Sequence, residues 1–286
     1  MNSKRRMGLK AAACAFVVAA AAMAAPGEAR EWKTVTIALE GSYEPWNLTR
    51  PDGTIDGFEP ELARDLCWRM RVQCKLMSQD WDGLIPGLNA GKFDVIMDAL
   101  SISEDRKRAI AFSKPYANTP AVFVSAGPVG LPKVLPNAAP LRLTGDPASD
   151  RAAVEPLRAA LKGKSIGIVT GSVYSAFINR NFKDVASIRE YKNAPDHDID
   201  LLNGRIDVAF DDAAYYASAL AKPGNAALRI VGPKIGGPIW GDGEALGLRK
   251  SDADLKTMFD QAIAAAITDG TVRRLSEKWF KTDVTP

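Results

Sequence analysis

The 286-residue chain is 47% hydrophobic and 25% charged, an ordinary globular composition with length for one large or two medium domains. Its formal charge of +3 sits at the N-terminus, since loss of Lys4, Arg5, Arg6 and Lys10 takes the charge to −1. No Lys/Arg cluster interleaved with aromatics follows, which argues against a nucleic-acid binder.

In chain order, MNSKRRMGLK is a basic stretch, AAACAFVVAAAAM an apolar one, and small residues follow. That is the pattern of a secretory signal peptide spanning residues 1–24, with cleavage after Ala24 or as late as Ala29. The apolar run is too short to span a bilayer, so the mature protein is expected to be exported and soluble. Cys14 lies inside the apolar run without a Leu three residues before it, which disfavours a lipid-anchored cysteine.

From Val35 onward, strand and helix periods alternate. VTIAL reads as a strand, Phe58, Leu62, Leu66 and Met70 keep helical spacing, WDGLIPGLNAG reads as a short helix ended by Gly91, and FDVIMDAL as a buried strand. The stretch GPVGLPKVLPNAAPLRLTGDPASD, rich in Pro, Gly and Ala, reads as irregular surface structure. KSIGIV then reads as a strand, TGS as a tight turn, VYSAFINRNF as a helix, DHDIDLLNG as a helix closed by Gly204, and RIDVAF as a strand. Two amphipathic helices, DLKTMFDQAIAAAITDG and TVRRLSEKWF, end the chain. Such alternation predicts an α/β fold with mainly parallel sheets covered by helices.

Once Cys14 leaves with the signal, Cys67 and Cys74 remain in DLCWRMRVQCKL. In an oxidising compartment this pair reads as a disulfide joining a helix end to the next strand. A zinc site is disfavoured, because His197 is the only histidine. His197 itself, in the polar run NAPDHDID, reads as a solvated helix residue.

In ALSISEDRKRAIAFS, Ser103 opens a helix with Glu104, Asp105 and Arg106 in its first turn. A helix N-terminus carries roughly half a positive elementary charge, which favours the two acids and disfavours Arg106. Arg106 either pairs with Asp105 on a solvated surface or marks a functional site. Ligands of open α/β sheets bind beyond the carboxyl ends of the strands. That rule selects Glu40 to Tyr43, Asp98 to Ser101, Thr170 to Val173, and Asp211 with Asp212. Ser172 belongs to the TGS turn, whose backbone N–H groups at a helix start form a ready anion site.

EGSYEPWN, DGFEPELARDLCWRM, WDGLIPGLNAGKFDVIMDALSISEDRKRAIAFSKPY, IGIVTGS, LNGRIDVAF and GLRKSDADLKTMFDQAIAAAITDGTVRRLSEKWF together resemble the periplasmic amino-acid-binding proteins of ABC importers. The likeness is greatest to the lysine/arginine/ornithine- and opine-binding branch. It implies a two-lobed type II periplasmic-binding-protein fold, each lobe a mixed, mainly parallel sheet flanked by helices. Lobe one would comprise residues 32–122 plus 237–286 and lobe two residues 123–236, joined by hinge strands near AVFVS and RIVGP. Basic-amino-acid binders of the family have a disulfide where Cys67 and Cys74 fall.

The resemblance implies that Arg106 clamps a ligand carboxylate, helped by the N–H groups of Ser101 and Val173, and that Asp212 receives the α-ammonium with the Ser101 hydroxyl and the Ala99 carbonyl. Glu40, Tyr43, Trp81 and Asp98 would line the distal pocket. Two carboxylates there, beside two aromatic faces, favour a distal ammonium or guanidinium. The expected ligand is arginine, lysine, ornithine or a relative, with an opine as the alternative. No cofactor or metal is implied. The partners would be the permease and ATPase of an ABC importer, and the protein a periplasmic monomer. A dehydratase-like enzyme on the same scaffold is the rival reading.

Overall fold

A computed structural model of the chain describes residues 31–132 and 139–286. The signal-peptide and Cys14 readings fall outside those residues.

The chain begins with β1 (Thr34–Leu39), whose Val35, Ile37, Ala38 and Leu39 are fully buried. Three short strands, β2 (Ser42–Tyr43), β3 (Asn47–Thr49) and β4 (Ile55–Asp56), form a small antiparallel sheet. Next come α1 (Phe58–Met70), β5 (Gln73–Ser78), a 3-10 turn at Trp81–Gly83 leading into α2 (Leu84–Asn89), β6 (Val95–Ile96), α3 (Glu104–Ala109) and β7 (Ala111–Ala117). Helix α1 buries Phe58, Leu62, Ala63 and Leu66, the spacing read from the sequence. It ends at Arg71, which takes a left-handed φ of 57° and donates its N–H to Trp68. Cys67 and Cys74 are bridged with a Cα–Cα distance of 6.0 Å, stapling α1 to β5.

The second half contains β8 (Ala121–Ser125), β9 (Leu141–Arg142), α4 (Pro147–Leu161), β10 (Ser165–Val169), α5 (Val173–Phe182), β11 (Ser187–Tyr191), α6 (Ala194–Leu202), β12 (Val208–Asp212), α7 (Ala213–Ala219) and β13 (Arg229–Gly236). The chain then returns through β14 (Glu244–Leu248) and closes with α8 (Ala253–Thr268) and α9 (Thr271–Phe280). Among the described residues, no helix is long and apolar enough to cross a membrane.

The main strands form two sheets. One runs β5-β1-β6-β14-β7, parallel from β5 to β6 and antiparallel at β14. The other runs β11-β10-β12-β8-β13-β9, parallel through β11, β10 and β12, with β8 antiparallel to both its neighbours. This is the two-lobed type II binding-protein architecture. The two stretches read as hinge strands, AVFVS and RIVGP, are β8 and most of β13, hydrogen-bonded neighbours inside the second sheet. The chain crosses between the sheets just before β8, at residues 118–120, and just after β13, at residues 237–243.

The described parts of the proline-rich stretch after β8, residues 127–132 and 139–150, are more ordered than their composition suggests. Leu143, Val129 and Leu131 are buried in the second lobe's core, and β9 pairs with β13. Pro147 opens α4 instead of belonging to a loop, because proline at the first helical position loses no intrahelical bond. Asp146 caps that helix, accepting from the N–H groups of Ala148 and Ser149.

Candidate functional site

Strand ends and helix starts from both lobes converge on one cavity of about 50 Å3. Its walls include Glu40, Tyr43, Trp81, Asp98, Ala99, Ser101, Arg106, Ser172 and Val173, nine of the ten ligand positions picked from the sequence, together with Val169, Tyr174, Ala194 and Asp211. The tenth, Asp212, is not among the lining residues.

Arg106 does not pair with Asp105, which is bonded to Arg108. It is 9% exposed, and its guanidinium donates to the Ser101 carbonyl at 3.0 Å and to the Gly171 carbonyl of the other lobe at 3.2 Å. It also lies 5.1 Å from the centre of the Trp81 ring, within cation–π range. Burial lowers its pKa to about 10, with Tyr174 and Asp98 opposing the drop, so the group stays charged at neutral pH. Neither guanidinium contact is a carboxylate, which leaves the cation's charge to be matched from the cavity side. Two larger chambers, of about 440 and 250 Å3, adjoin Arg106 and Gly171 outside this cavity.

The Ser172 hydroxyl accepts from the Ser175 N–H at 3.0 Å and donates to the Val169 carbonyl at 2.7 Å, fixing the start of α5. Val173 follows in the first turn, where backbone N–H groups have no partner within the helix. Ala99, after β6, takes φ +43°, a strained left-handed value for a residue with a Cβ. Its N–H donates to buried Glu59 at 2.6 Å. Strain at a cavity wall is held in place by that buried partner.

Negative charge gathers around Asp98. The residue is 3% exposed, and its Oδ1 accepts from Asn47 Nδ2 at 2.7 Å and from the Glu40 N–H at 3.1 Å. Among the described residues, its Oδ2 is buried without a hydrogen-bond partner. Burial, then the neighbouring charges of Glu40 and Glu59, push the Asp98 carboxyl well above the usual carboxylate range. Burial likewise raises Glu40 to about 7, against a lowering bond from the Ser42 hydroxyl at 2.7 Å.

Asp211 and Asp212 point to opposite sides of β12. Asp212 Oδ1 accepts from the N–H groups of Ala214 at 2.7 Å and Tyr215 at 2.9 Å and from Trp46 Nε1 at 3.2 Å. Its Oδ2 accepts from Thr119 and from the Tyr174 hydroxyl at 3.4 Å. Five donors thus surround a carboxylate with about four acceptor positions, two of them the capping N–H groups of α7. Asp211, one residue earlier on β12, faces the opposite way and lines the cavity. It accepts from the Tyr43 hydroxyl at 2.6 Å.

Behind Asp211 stands His197, which is fully buried rather than solvated. Helix α6 turns Ala194, His197, Asp198 and Leu201 inward, a helical stripe in which two of the four residues are polar. A Cβ on Gly167 of β10 would meet Ile206 Cδ1 at 2.5 Å and His197 Cβ at 3.2 Å, so the glycine lets α6 pack closely on the strand. The imidazole nitrogens lie 3.1 Å from Asp198 Oδ1 and 3.1 Å from Asp211 Oδ2. Burial alone would lower the His197 pKa; its bonds to Asp198 and Asp211 outweigh that and raise it to about 9.

The lobes touch around the cavity. Trp81 Nε1 donates to the Thr170 carbonyl at 3.0 Å, Tyr43 stacks on Tyr215 with ring centres 5.0 Å apart, and Lys222 pairs with Glu44 at 2.7 Å.

Comparison with known proteins accords with this geometry. The model of the bacterial extracellular solute-binding proteins, family 3, matches residues 35–282. The octopine-binding periplasmic protein of Rhizobium meliloti is 39% identical, the match covering 98% of this chain and 100% of the relative. The L-arginine-binding protein of Pseudomonas aeruginosa is 31% identical over 88% of this chain and 90% of its own. A solved periplasmic His/Glu/Gln/Arg/opine family-binding protein from Silicibacter pomeroyi, in complex with lysine, superposes with a TM-score of 0.70 at 28% identity, covering 88% of this chain and 99% of that one.

Proposed function

Since the chain belongs to family 3 of the bacterial extracellular solute-binding proteins, we propose that it captures a cationic amino acid of the arginine, lysine or ornithine type between its lobes and delivers it to an ABC importer. The observation that carries the ligand class is the orphaned Asp98 Oδ2, buried beside Glu40 in the cavity that also holds Arg106. A buried carboxyl oxygen without a partner costs about 1–3 kcal/mol, and a ligand ammonium or guanidinium supplies a donor together with the charge that favours the carboxylate form. Arg106 supplies the opposite charge for the ligand carboxylate, with Ser101, Ser172 and Val173 around it. Tyr43 and Trp81 present aromatic faces to the cationic stem.

The lobes are taken as residues 32–122 with 237–286, and residues 123–236. The protein acts as a periplasmic monomer without a cofactor, its signal removed after residue 24 or as late as residue 29, and it returns its ligand chemically unchanged. A second reading, an arginine-derived opine, draws on the 39% identical octopine-binding relative and on the chambers of about 440 and 250 Å3 beside Arg106, which offer room beyond the carboxylate clamp.

A competition screen by calorimetry on the purified mature protein tests the reading. Arginine, lysine, ornithine or octopine binds more tightly than glutamine, leucine and glutamate. Tighter binding of any of the last three than of every cationic ligand refutes it.

A further inference from the structure

Asn47, fully buried on β3, is not part of the cavity wall, yet each polar atom of its side chain is engaged. Its Oδ1 accepts from the Gly41 N–H at 2.7 Å, which fixes the orientation of the amide. Nδ2 then donates to Glu59 Oε2 at 2.8 Å and to Asp98 Oδ1 at 2.7 Å. An amide nitrogen carries two hydrogens, so both are directed at carboxyl groups. Glu59, equally buried in the first turn of α1, is surrounded by donors: the Ala99 N–H at 2.6 Å and the Tyr116 hydroxyl on Oε1, and Asn47 on Oε2. Burial raises the Glu59 carboxyl, and the bonds from Tyr116, Ala99 and Asn47 oppose that rise.

The start of α1 is docked on the chain that leads into β3. The Phe58 N–H donates to the Pro45 carbonyl and the Glu59 N–H to the Trp46 carbonyl, each at 2.9 Å. Gly57, at φ +129°, permits this approach, because a Cβ there would meet the Trp46 carbonyl oxygen at 2.6 Å and Asn47 Cα at 2.9 Å. Asp98 is thereby held from two sides. Glu59 grips the Ala99 N–H that follows it, and through Asn47 it grips Asp98 Oδ1, which also accepts from the Glu40 N–H at 3.1 Å. Among the described residues, Oδ2 is the Asp98 oxygen left without a partner. Gly41, Asn47, Glu59, Ala99 and Tyr116 all precede β8, so the grip on Asp98 needs no group from the second sheet.

Resting on the reading of a cationic ligand matched by Asp98, we propose that Asn47 and Glu59 are positioning residues for ligand selectivity: Glu59 anchors the Asn47 amide, Asn47 pins Asp98 through Oδ1, and Oδ2 is thereby kept for the ligand's distal cation. The preference for a charged side chain then depends on how the Asp98 carboxyl is aimed, and not on its presence alone. Because the aim is set before a ligand arrives, little ordering of Asp98 is left to oppose binding. With Asn47 truncated, Asp98 is free to turn, and each bound cation has to order it again.

The probes are L-arginine and L-citrulline, whose side chain has nearly the same shape but ends in a neutral urea group. By calorimetry the unaltered protein prefers arginine by at least about tenfold in Kd, the scale of one charge-assisted hydrogen bond. Asn47→Ala and Glu59→Gln each shrink that preference by about fivefold or more. Asn47→Ala changes no charge, so its effect reports the aim of Asp98 and not the field of the cavity. In Glu59→Gln, a glutamine that keeps its oxygen on the Ala99 N–H sets its amide nitrogen against that of Asn47. Once Asp98 is replaced in Asp98→Asn, neither substitution shrinks the preference further, because residues that act through one group are not additive with its loss. A purely structural role would weaken both probes alike and keep the preference. An undiminished preference in either variant, or an equal further loss in the Asp98→Asn background, overturns the proposal. Should neither variant fold, NMR of the Asn47 side-chain amide in the unaltered protein decides: arginine shifts its two proton resonances clearly more than citrulline does, and equal or absent shifts overturn the proposal. If the unaltered protein binds neither probe, or binds citrulline as tightly as arginine, the cationic-ligand reading falls and this inference with it; if it prefers arginine and the variants keep that preference, only this inference falls.

Discussion

Glu244→Gln should stabilise the protein, increasingly so as pH rises from 5 to 8. Glu244 opens β14 of the first-lobe sheet, is 3% exposed, and accepts from the Thr119 hydroxyl at 3.0 Å. Thr119 sits on the crossover between lobes and also bonds Asp212, at the end of β12 in the second lobe. One hydroxyl carries one proton, so two ionised carboxylates cannot both receive it. If Glu244 is neutral, its own proton goes to Thr119 and Thr119 donates to Asp212, which leaves each contact satisfied. Burial, and then the charge of Asp212, raise Glu244 to about 8 accordingly. A carboxyl whose folded pKa lies above its unfolded value near 4.5 contributes stability at low pH and loses it as pH climbs toward 8. At pH 7 the unfolded chain is ionised and the folded site is not, a handicap on the order of 3 kcal/mol at 1.36 kcal/mol per unit. Glutamine keeps the shape, donates to Thr119 through its amide and does not titrate. Urea unfolding of both proteins at pH 5, 7 and 9 measures the difference. The expected gain is under about 1 kcal/mol at pH 5, a few kcal/mol at pH 7, and a plateau above pH 8. A gain that does not vary with pH, or a destabilisation at pH 9, refutes the shared-proton arrangement.

Arg106→Ala should weaken ligand binding by well over tenfold with the fold retained, because the unmatched ligand carboxylate costs about 2–5 kcal/mol; near-unaltered affinity by calorimetry argues against the clamp. Asp98→Asn should act with opposite signs on the two properties. It relieves a buried carboxyl pushed up by desolvation, raising Tm of the free protein at neutral pH, and it removes the cation's partner, lowering affinity for arginine at least tenfold. Affinity for a cationic ligand should itself fall as pH drops from 8 to 6, since Glu40, raised to about 7, takes up the proton that the ligand's charge would displace. Reduction of Cys67–Cys74 should cost about 2.5 kcal/mol on the loop-entropy account and leave ligand affinity within twofold, because the bridge joins α1 to β5 away from the cavity.

Local patterns carried most of the architecture. VYSAFINRNF coincides with α5, and the spacing of Phe58, Leu62 and Leu66 marks the buried face of α1, because helical periodicity is a property of contiguous residues. Composition misled between β8 and β10, where Pro147 starts α4 rather than breaking the chain and Leu143 fills the core. His197 was hidden for a different reason. A polar run on a helix reads as solvated, and its burial follows from Gly167, Asp211 and Tyr216 on other elements, which no local pattern relates to it. The opposite facing of Asp211 and Asp212 did leave a trace. In RIDVAFDD, alternation puts Val208, Phe210 and Asp212 on one side of β12 and Ala209 with Asp211 on the other, matching the separate cores that Phe210 and Ala209 join. Which side meets the cavity is set by pairing with β8, and that long-range register is absent from the segment itself.

The central claim is that one cavity matches both ends of a cationic amino acid, and a crystal structure of the mature protein grown with L-arginine tests it most directly. The account predicts the ligand carboxylate on the Arg106 guanidinium and its guanidinium within hydrogen-bond distance of Asp98 Oδ2, flanked by Tyr43 and Trp81. Arginine bound with its guanidinium elsewhere and Asp98 Oδ2 still without a partner would contradict it.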